Sequence, residues 1–166
     1  MATATKVPLL STTLSATASS VTFSALSQSY TDLVLVCKIL PTGSVVYGPY
    51  IYFNEEFNGS TNYSHSCIEG RGNSATYNRT SSQNAAYTSW NVGLSGVSTL
   101  IVNFNNYSNT STYKTFLSRS NDTTGSYPGT SLSLGMWRST SALTSITISW
   151  PGTFDIGSKF DLYGIL

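Results

Sequence analysis

Charge is scarce in this sequence. Only 9% of the residues are charged, and eight Lys and Arg against seven Asp and Glu leave a formal net charge of +1. Because so neutral a chain offers no extended basic surface to a phosphate backbone, we expect no nucleic acid partner. Stability must then come mainly from apolar burial and backbone pairing, and only slightly from ion pairs.

Cysteine and long apolar runs are equally rare. Cys37 and Cys67 are too few for a disulfide framework, so we expect two small buried thiols in a protein made in a reducing cytoplasm. The first residues do not resemble a signal peptide, and no later run reaches the length of a membrane span. We therefore expect no membrane partner.

Residues suited to catalysis are few. A Ser-His-Asp site would have to use His65, the single histidine, but no Gly-x-Ser-x-Gly turn accompanies it. Glu55 and Glu56 are adjacent, and a turn with solvated carboxylates explains them more simply than a converging acidic pair. Asp122 and Asp155 lack the acidic spacing of a calcium loop. We predict no enzyme, with no catalytic, cofactor-binding or metal-binding residues and no cofactor.

Short runs with a two-residue period are what the sequence does contain. In residues 144–150, Ile146, Ile148 and Trp150 share one face and hydroxyl side chains share the other, which is typical of a half-buried strand. Residues 33–39 are apolar almost throughout, which predicts a central strand buried on both faces. Turn residues separate further strand-like runs at residues 21–26, 50–54, 63–68, 100–104, 113–119, 135–138 and 159–165.

These patterns predict the fold class. No stretch sustains a helical period, so we expect an all-β protein, an antiparallel β-sandwich of jelly-roll type. We expect one sandwich domain at residues 20–166, preceded by an N-terminal arm at residues 1–19. Pro151-Gly152 should end one strand, with the strands on either side of it adjacent. Residues 73–93 fit an irregular loop, an extra hairpin or a segment ordered by a neighbour.

Tyrosine is unusually frequent, with eleven copies in the chain. A tyrosine ring provides contact area with a polar tip and few rotatable bonds, which suits a protein interface. Among the aromatic residues, the interface candidates are Tyr47, Tyr50, Trp90, Tyr107 and Tyr113. The alternative is that these rings pack on strand faces within the chain.

Several segments resemble a known family. The likeness runs through residues 113–120 (YKTFLSRS), 135–140 (GMWRST), 143–148 (LTSITI) and 154–165 (FDIGSKFDLYGI). Upstream, residues 20–26 and 30–35 are similar to the opening of the same proteins. The family is that of small virion structural proteins of tailed bacteriophages.

The resemblance implies a β-sandwich module used in capsid decoration or in tail and fibre parts, as an oligomer and without catalytic residues. Our leading hypothesis is a homotrimeric decoration or cement protein that binds the major capsid protein and stabilises the phage head. It would be assembled in the host cytoplasm and reside in the virion, with residues 1–19 ordered by the shell. The alternative is a tail or fibre module that binds a host receptor or carbohydrate. A hydrolase using His65 or Glu55 is the third hypothesis.

Overall fold

The computed structural model describes residues 5–42, 48–57, 61–89, 96–122 and 129–166. These residues form strands and turns and contain no helix. The strands are β1 (Lys6–Thr13), β2 (Ala18–Phe23), β3 (Asp32–Ile39), β4 (Pro41–Thr42), β5 (Tyr50–Phe53), β6 (Tyr63–Arg71), β7 (Ser74–Gln83), β8 (Ala86–Tyr87), β9 (Ser98–Asn105), β10 (Lys114–Asp122), β11 (Gly129–Trp137), β12 (Ile146–Phe154) and β13 (Lys159–Ile165).

The strands form two antiparallel sheets. The larger sheet has eight strands in the order β1-β13-β3-β9-β10-β11-β6-β7. The smaller has the order β2-β12-β5-β8, with β4 also paired to β12. The two sheets pack face to face around one apolar core, so the predicted all-β antiparallel sandwich is confirmed. The jelly-roll path is not confirmed by this strand order.

The core includes every inward-facing apolar residue of β3. Leu33, Leu35, Cys37 and Ile39 all point inward from β3 and are completely buried. The predicted position inside the sheet is confirmed, but burial on both faces is not: on the other face Val34 and Val36 are partly exposed and Lys38 is exposed. Cys37 and Cys67 are both buried and form no disulfide, as expected.

An aromatic cluster surrounds Phe53 of the smaller sheet. Its ring centroid lies 5.8 Å from that of Phe104, 6.2 Å from that of Phe116 and 5.7 Å from that of Trp137, all on the larger sheet. The Phe53 backbone N–H donates a 2.9 Å hydrogen bond to the Tyr63 hydroxyl. These contacts tie the two sheets together with edge-on and tilted rings, which are favourable aromatic geometries.

The strands around Pro151 differ from the sequence prediction. Residues 151 and 152 lie inside β12, and the pairing of β12 with β2 shifts register between Ser149 and Phe154. This irregularity accommodates a residue that has no N–H for the ladder. The strands β12 and β13 belong to different sheets instead of being adjacent. The Phe154 ring meets the Phe160 ring of β13 edge-on, with the ring centroids 5.1 Å apart, so a contact across the core replaces the expected strand pairing.

The N-terminal segment also differs from the prediction of an arm at residues 1–19. Within it, β1 pairs antiparallel with β13, and β2 begins at Ala18. Leu9 and Leu14 are partly buried against the core. The boundary at residue 20 is therefore corrected, because strand β13 offers backbone groups that β1 can pair with. Pro8 lies beside a register shift in β1. A proline and an interrupted alternation are not typical of a strand, so the sequence pattern did not predict β1.

The region that the sequence left open, residues 73–93, contributes a hairpin and a short strand within its described part. Gly72 has a φ of +59° in the turn between β6 and β7, a conformation that glycine adopts without strain. β8 follows and pairs with β5 of the smaller sheet. Of the three alternatives, the extra hairpin is the one the structure shows.

Gly135 of β11 leaves room for the ring of Phe116, its cross-strand partner on β10 in the same sheet. A Cβ atom at this position would lie 2.2 Å from the Phe116 ring, whereas at Gly70 of β6 the nearest atom would be 3.9 Å away. We expect Gly135→Ala to lower the free energy of unfolding by about 1–3 kcal/mol through overpacking. Gly70→Ala should leave it unchanged or slightly raised. Urea denaturation measures both, and equal effects would contradict the packing described.

Candidate functional site on the outer face of the larger sheet

In β11 the polar side chains face the interior and the apolar side chains face solvent, the opposite of an ordinary surface strand. Ser131 and Ser133 point into the sandwich and are buried, while Leu132 and Leu134 point outward and are 47% and 49% exposed. Successive strand residues face opposite sides of the sheet, so burying the serines forces the leucines into solvent.

Neighbouring strands extend this exposed apolar surface. Ile68 of β6 lies opposite Leu132 and is 63% exposed, and Tyr77 of β7 lies opposite Ile68 and is 88% exposed. Leu117 of β10 lies opposite Leu134 and is also exposed. We call Ile68, Tyr77, Leu117, Leu132 and Leu134 the outer apolar face. Contiguous exposed apolar groups of this kind mark interaction surfaces more often than scattered ones do.

The inner side of the same strands is rich in hydroxyl groups that have partners. The Ser118 hydroxyl donates to the Thr88 carbonyl at 2.9 Å, and the Ser133 hydroxyl donates to the Tyr87 carbonyl at 2.9 Å. Each of these bonds joins the larger sheet to β8 or the residue after it. Buried hydroxyls cost little when they are hydrogen-bonded, so this part of the interior tolerates serine in place of leucine.

Arginine side chains border the outer apolar face. Arg119 lies opposite Leu132, and Arg79 lies opposite Ser66. Arg138 donates 2.5 Å hydrogen bonds to the Ser64 hydroxyl and the Thr61 carbonyl. The one carboxylate among the described side chains of β6, β7, β10 and β11 is Glu69, which is buried. The exposed part of this surface is therefore apolar and basic.

A shallow depression lies on the same surface. It has a volume of about 250 Å³ and lies between Arg79 and Arg138, with Leu134 and Met136 among its apolar lining. The rest of its lining is polar and consists of Ser64, His65, Ser66, Thr80 and Ser81. Its chemistry fits a polar group of a partner that also contacts apolar side chains.

The tyrosines proposed as interface residues are not brought together. Tyr50 is half-buried on the smaller sheet, with its ring edge-on to Tyr87 at 4.5 Å. Tyr113 is exposed in the connection between β9 and β10. Tyr47 and Trp90 lie outside the described residues.

Tyr107 needs a correction, because its ring is completely buried and cannot serve a partner in this conformation. Asn106, with a φ of +51°, turns the chain after β9 and precedes the buried ring. The Tyr107 hydroxyl donates to the Ser27 carbonyl inside the chain.

Sequence reasoning missed the residues of the outer apolar face. Leu132, Leu134 and Met136 alternate with Ser133 and Gly135, and that alternation was a usable strand signal. The same signal assigns the leucines to the core, because apolar residues usually face inward. Only the hydrogen bonds of the inward serines show that the strand is turned the other way.

His65 lies in the interior. Its side chain is 2% exposed, its Nδ1 lies 2.9 Å from the Thr80 hydroxyl, and its ring centroid lies 4.7 Å from that of Tyr87. Its neighbours Ser64 and Ser66 point to the other side of the sheet, as successive strand residues do. Burial lowers the pKa of His65 to about 4, although a side-chain hydrogen bond with Asn78 acts in the opposite direction.

The adjacent carboxylates Glu55 and Glu56 point to different surroundings. Asn54 and Glu55 have positive φ values and form the predicted turn, with Glu55 exposed. Glu56 accepts hydrogen bonds from Asn62 Nδ2 at 2.7 Å and from Trp137 Nε1 at 2.5 Å. Glu56 therefore holds the start of β6 against the end of β11.

The remaining acidic candidates show no shared site. Asp155 accepts a 2.8 Å hydrogen bond from the Ile156 N–H, and the side chain of Asp122 lies outside the described part of the chain. Within that part, no group of three or more His, Cys, Asp and Glu side chains is placed to hold a metal ion. The described residues also form no helix with the length and hydropathy needed to cross a membrane.

Comparisons of the chain with models of known protein families, with curated proteins and with solved structures find no match.

The burial of His65 predicts a pH dependence of stability. Its pKa in the folded protein lies below the ordinary value of 6.5, so the unfolded chain binds an extra proton between about pH 6.5 and pH 4. The stabilisation is complete above this window and is lost as the pH falls through it. We expect the free energy of unfolding to drop by about 1–3 kcal/mol from this residue.

The matched control for this prediction is His65→Gln, which keeps a polar side chain but cannot titrate. Chemical denaturation of both proteins at several pH values measures the free energy of unfolding. The carboxylates titrate in both proteins, so the difference between the two pH profiles is the contribution of His65. If wild type and variant show the same slope between pH 6.5 and pH 4, His65 does not titrate as described.

Proposed function

We propose that this chain is a non-enzymatic structural protein of a tailed phage virion, a decoration or cement protein that binds the outside of the head. The observation that carries the proposal is the outer apolar face, where Ile68, Tyr77, Leu117, Leu132 and Leu134 stand exposed on hydrogen-bonded strands. Apolar groups displayed on a stiff sheet lose little conformational entropy when a partner covers them.

The composition of this surface supports a protein partner. Aromatic and arginine side chains are enriched in protein interfaces, and Tyr77, Arg79 and Arg119 all lie on this side of the sheet. Covering the apolar groups contributes about 25 cal/mol for each Å² removed from water. A capsid lattice repeats such a contact many times, so a modest contact at each site can stabilise a whole shell.

The low charge and the sandwich architecture suit a protein that binds the outside of a capsid. A protein with a net charge of +1 binds a shell through surface complementarity more than through long-range attraction. The major capsid protein is the partner that this proposal requires, and the virion is its location. The homotrimer expected from the family resemblance stays a prediction, and its interfaces should each bury at least about 1,000 Å².

One observation favours the second candidate, a tail or fibre module that binds a receptor or carbohydrate. The depression between Arg79 and Arg138 is lined by serine and threonine residues, two arginines and apolar side chains. Sugar sites use a similar combination of polar donors and apolar surface. It is shallow, however, and the outer apolar face is the more extended feature.

The double variant Leu132→Ser/Leu134→Ser tests the attachment surface. Both side chains are about half exposed, so the fold should be kept, while head binding should weaken at least about tenfold from lost apolar contact. Ile156→Ser is the matched control, because Ile156 is also exposed but lies in the turn between β12 and β13. Cosedimentation of the proteins with heads that lack the chain measures occupancy. Equal binding by the double variant and the control would contradict the assignment of this surface.

Cryo-electron microscopy of the virion that encodes the chain tests the location. The proposal expects density of this size at regular positions on the head. Density confined to the tail would favour the second candidate, and absence of the chain from purified virions would overturn both.

A further inference from the structure

Strand β7 is a long edge of the larger sheet, and no other strand of the described residues pairs with its outer side. It spans ten residues, pairs with β6 on one side and is the last strand in the order of that sheet. All ten residues are exposed or partly exposed, and Tyr77 near its centre is 88% exposed. An edge strand of this kind presents a row of backbone N–H and C=O groups that a further strand can pair with.

The opposite edge of the same sheet is protected. β1 contains Lys6 and Pro8, and its pairing with β13 shifts register between Pro8 and Leu10. Lysine, proline and a bulge are the devices by which natural sheets prevent pairing at an edge. β7 contains no lysine and no proline, and its pairing with β6 is regular from Ser74 to Thr80; its register shift lies beyond Thr80, where Ser82 has a positive φ. Edge-to-edge growth from β7 onto β1 of another copy is therefore disfavoured.

We infer that β7 pairs antiparallel with β7 of a second copy of this chain, about a two-fold axis at Asn78. This inference goes beyond the proposed function and does not rest on it. A strand that pairs with itself must avoid like charges in opposing positions, and Arg79 is the one charged residue of β7. Self-pairing is thus free of direct charge repulsion.

The register about Asn78 also gives each arginine a partner. Tyr77 and Arg79 lie on the outward side of β7, opposite Ile68 and Ser66 of β6. With Asn78 on the axis, Arg79 of each copy lies directly across from Tyr77 of the other. A guanidinium group against a tyrosine ring is a favourable cross-strand pair, and this register forms it twice.

This pairing would join two eight-stranded sheets into one continuous sheet. Because opposing residues of paired strands point to the same side, the outer apolar faces of the two copies would form a single surface. The contact is isologous and closes after two copies, so it predicts a dimer in solution where the family resemblance predicts a trimer.

A charge swap in the full chain tests both the edge and the register. Tyr77→Lys would place each new lysine across from Arg79 of the other copy, and we expect the dimer to weaken at least about tenfold. Adding Arg79→Glu would pair lysine with glutamate in the same positions and restore most of the affinity. Tyr113→Lys adds the same charge at an exposed tyrosine remote from β7 and should leave the dimer intact.

Sedimentation equilibrium between about 1 and 100 μM measures the dissociation constants, with circular dichroism and thermal melting to check that each variant folds. A dimer that Tyr77→Lys weakens and the double variant restores supports the inference. A wild-type chain that stays monomeric or forms trimers at the highest concentration would overturn it. Failure of the double variant to restore the dimer would overturn the register about Asn78 and the inference with it.

Discussion

The hydrogen bonds from serine hydroxyls of the larger sheet to carbonyl groups at β8 decide which side chains of that sheet face solvent. Ser118 bonds to the Thr88 carbonyl and Ser133 to the Tyr87 carbonyl. Without those acceptors the hydroxyls would be buried unsatisfied, and burying the leucines of β11 would be the more stable arrangement. Because the acceptors are present, serine lies inside and leucine lies outside.

The sandwich consequently has two different halves. Around β3, β9 and β13 the interior is apolar, with Leu35, Val102 and Leu162 completely buried. Around β6, β10 and β11 the interior contains Tyr63, Phe116 and Trp137 but also His65, buried serines and the carboxylate of Glu69. The aromatic cluster at Phe53 lies where the two halves meet and links the sheets. The half around β3, β9 and β13 has an ordinary apolar core. The half around β6, β10 and β11 has polar side chains in part of its interior and apolar side chains on its outer face.

Two surfaces follow from this arrangement, and they have separate roles in our proposals. The outer apolar face is broad and bordered by Arg79 and Arg119, which suits a partner that covers it. The edge of β7 is narrow and offers backbone groups, which suits a further strand. A sheet can use its face and its edge at the same time, since side chains serve the face and the backbone serves the edge. In our proposals, the face would contact the shell and the edge would contact a second copy.

The sequence alone determined the fold class and most of the strands. Alternation of Ile146, Ile148 and Trp150, the apolar run of β3 and the bounds of β13 all came from a local pattern, because side chains alternate along any strand. The tertiary structure decided which strands pair and which side chains are buried, and no local pattern contains that information. It put β12 and β13 in different sheets, paired β1 with β13, and buried Tyr107. It also turned Leu132 and Leu134 outward, because the direction of a strand face depends on distant acceptors such as the Tyr87 carbonyl, 46 residues from Ser133 along the chain.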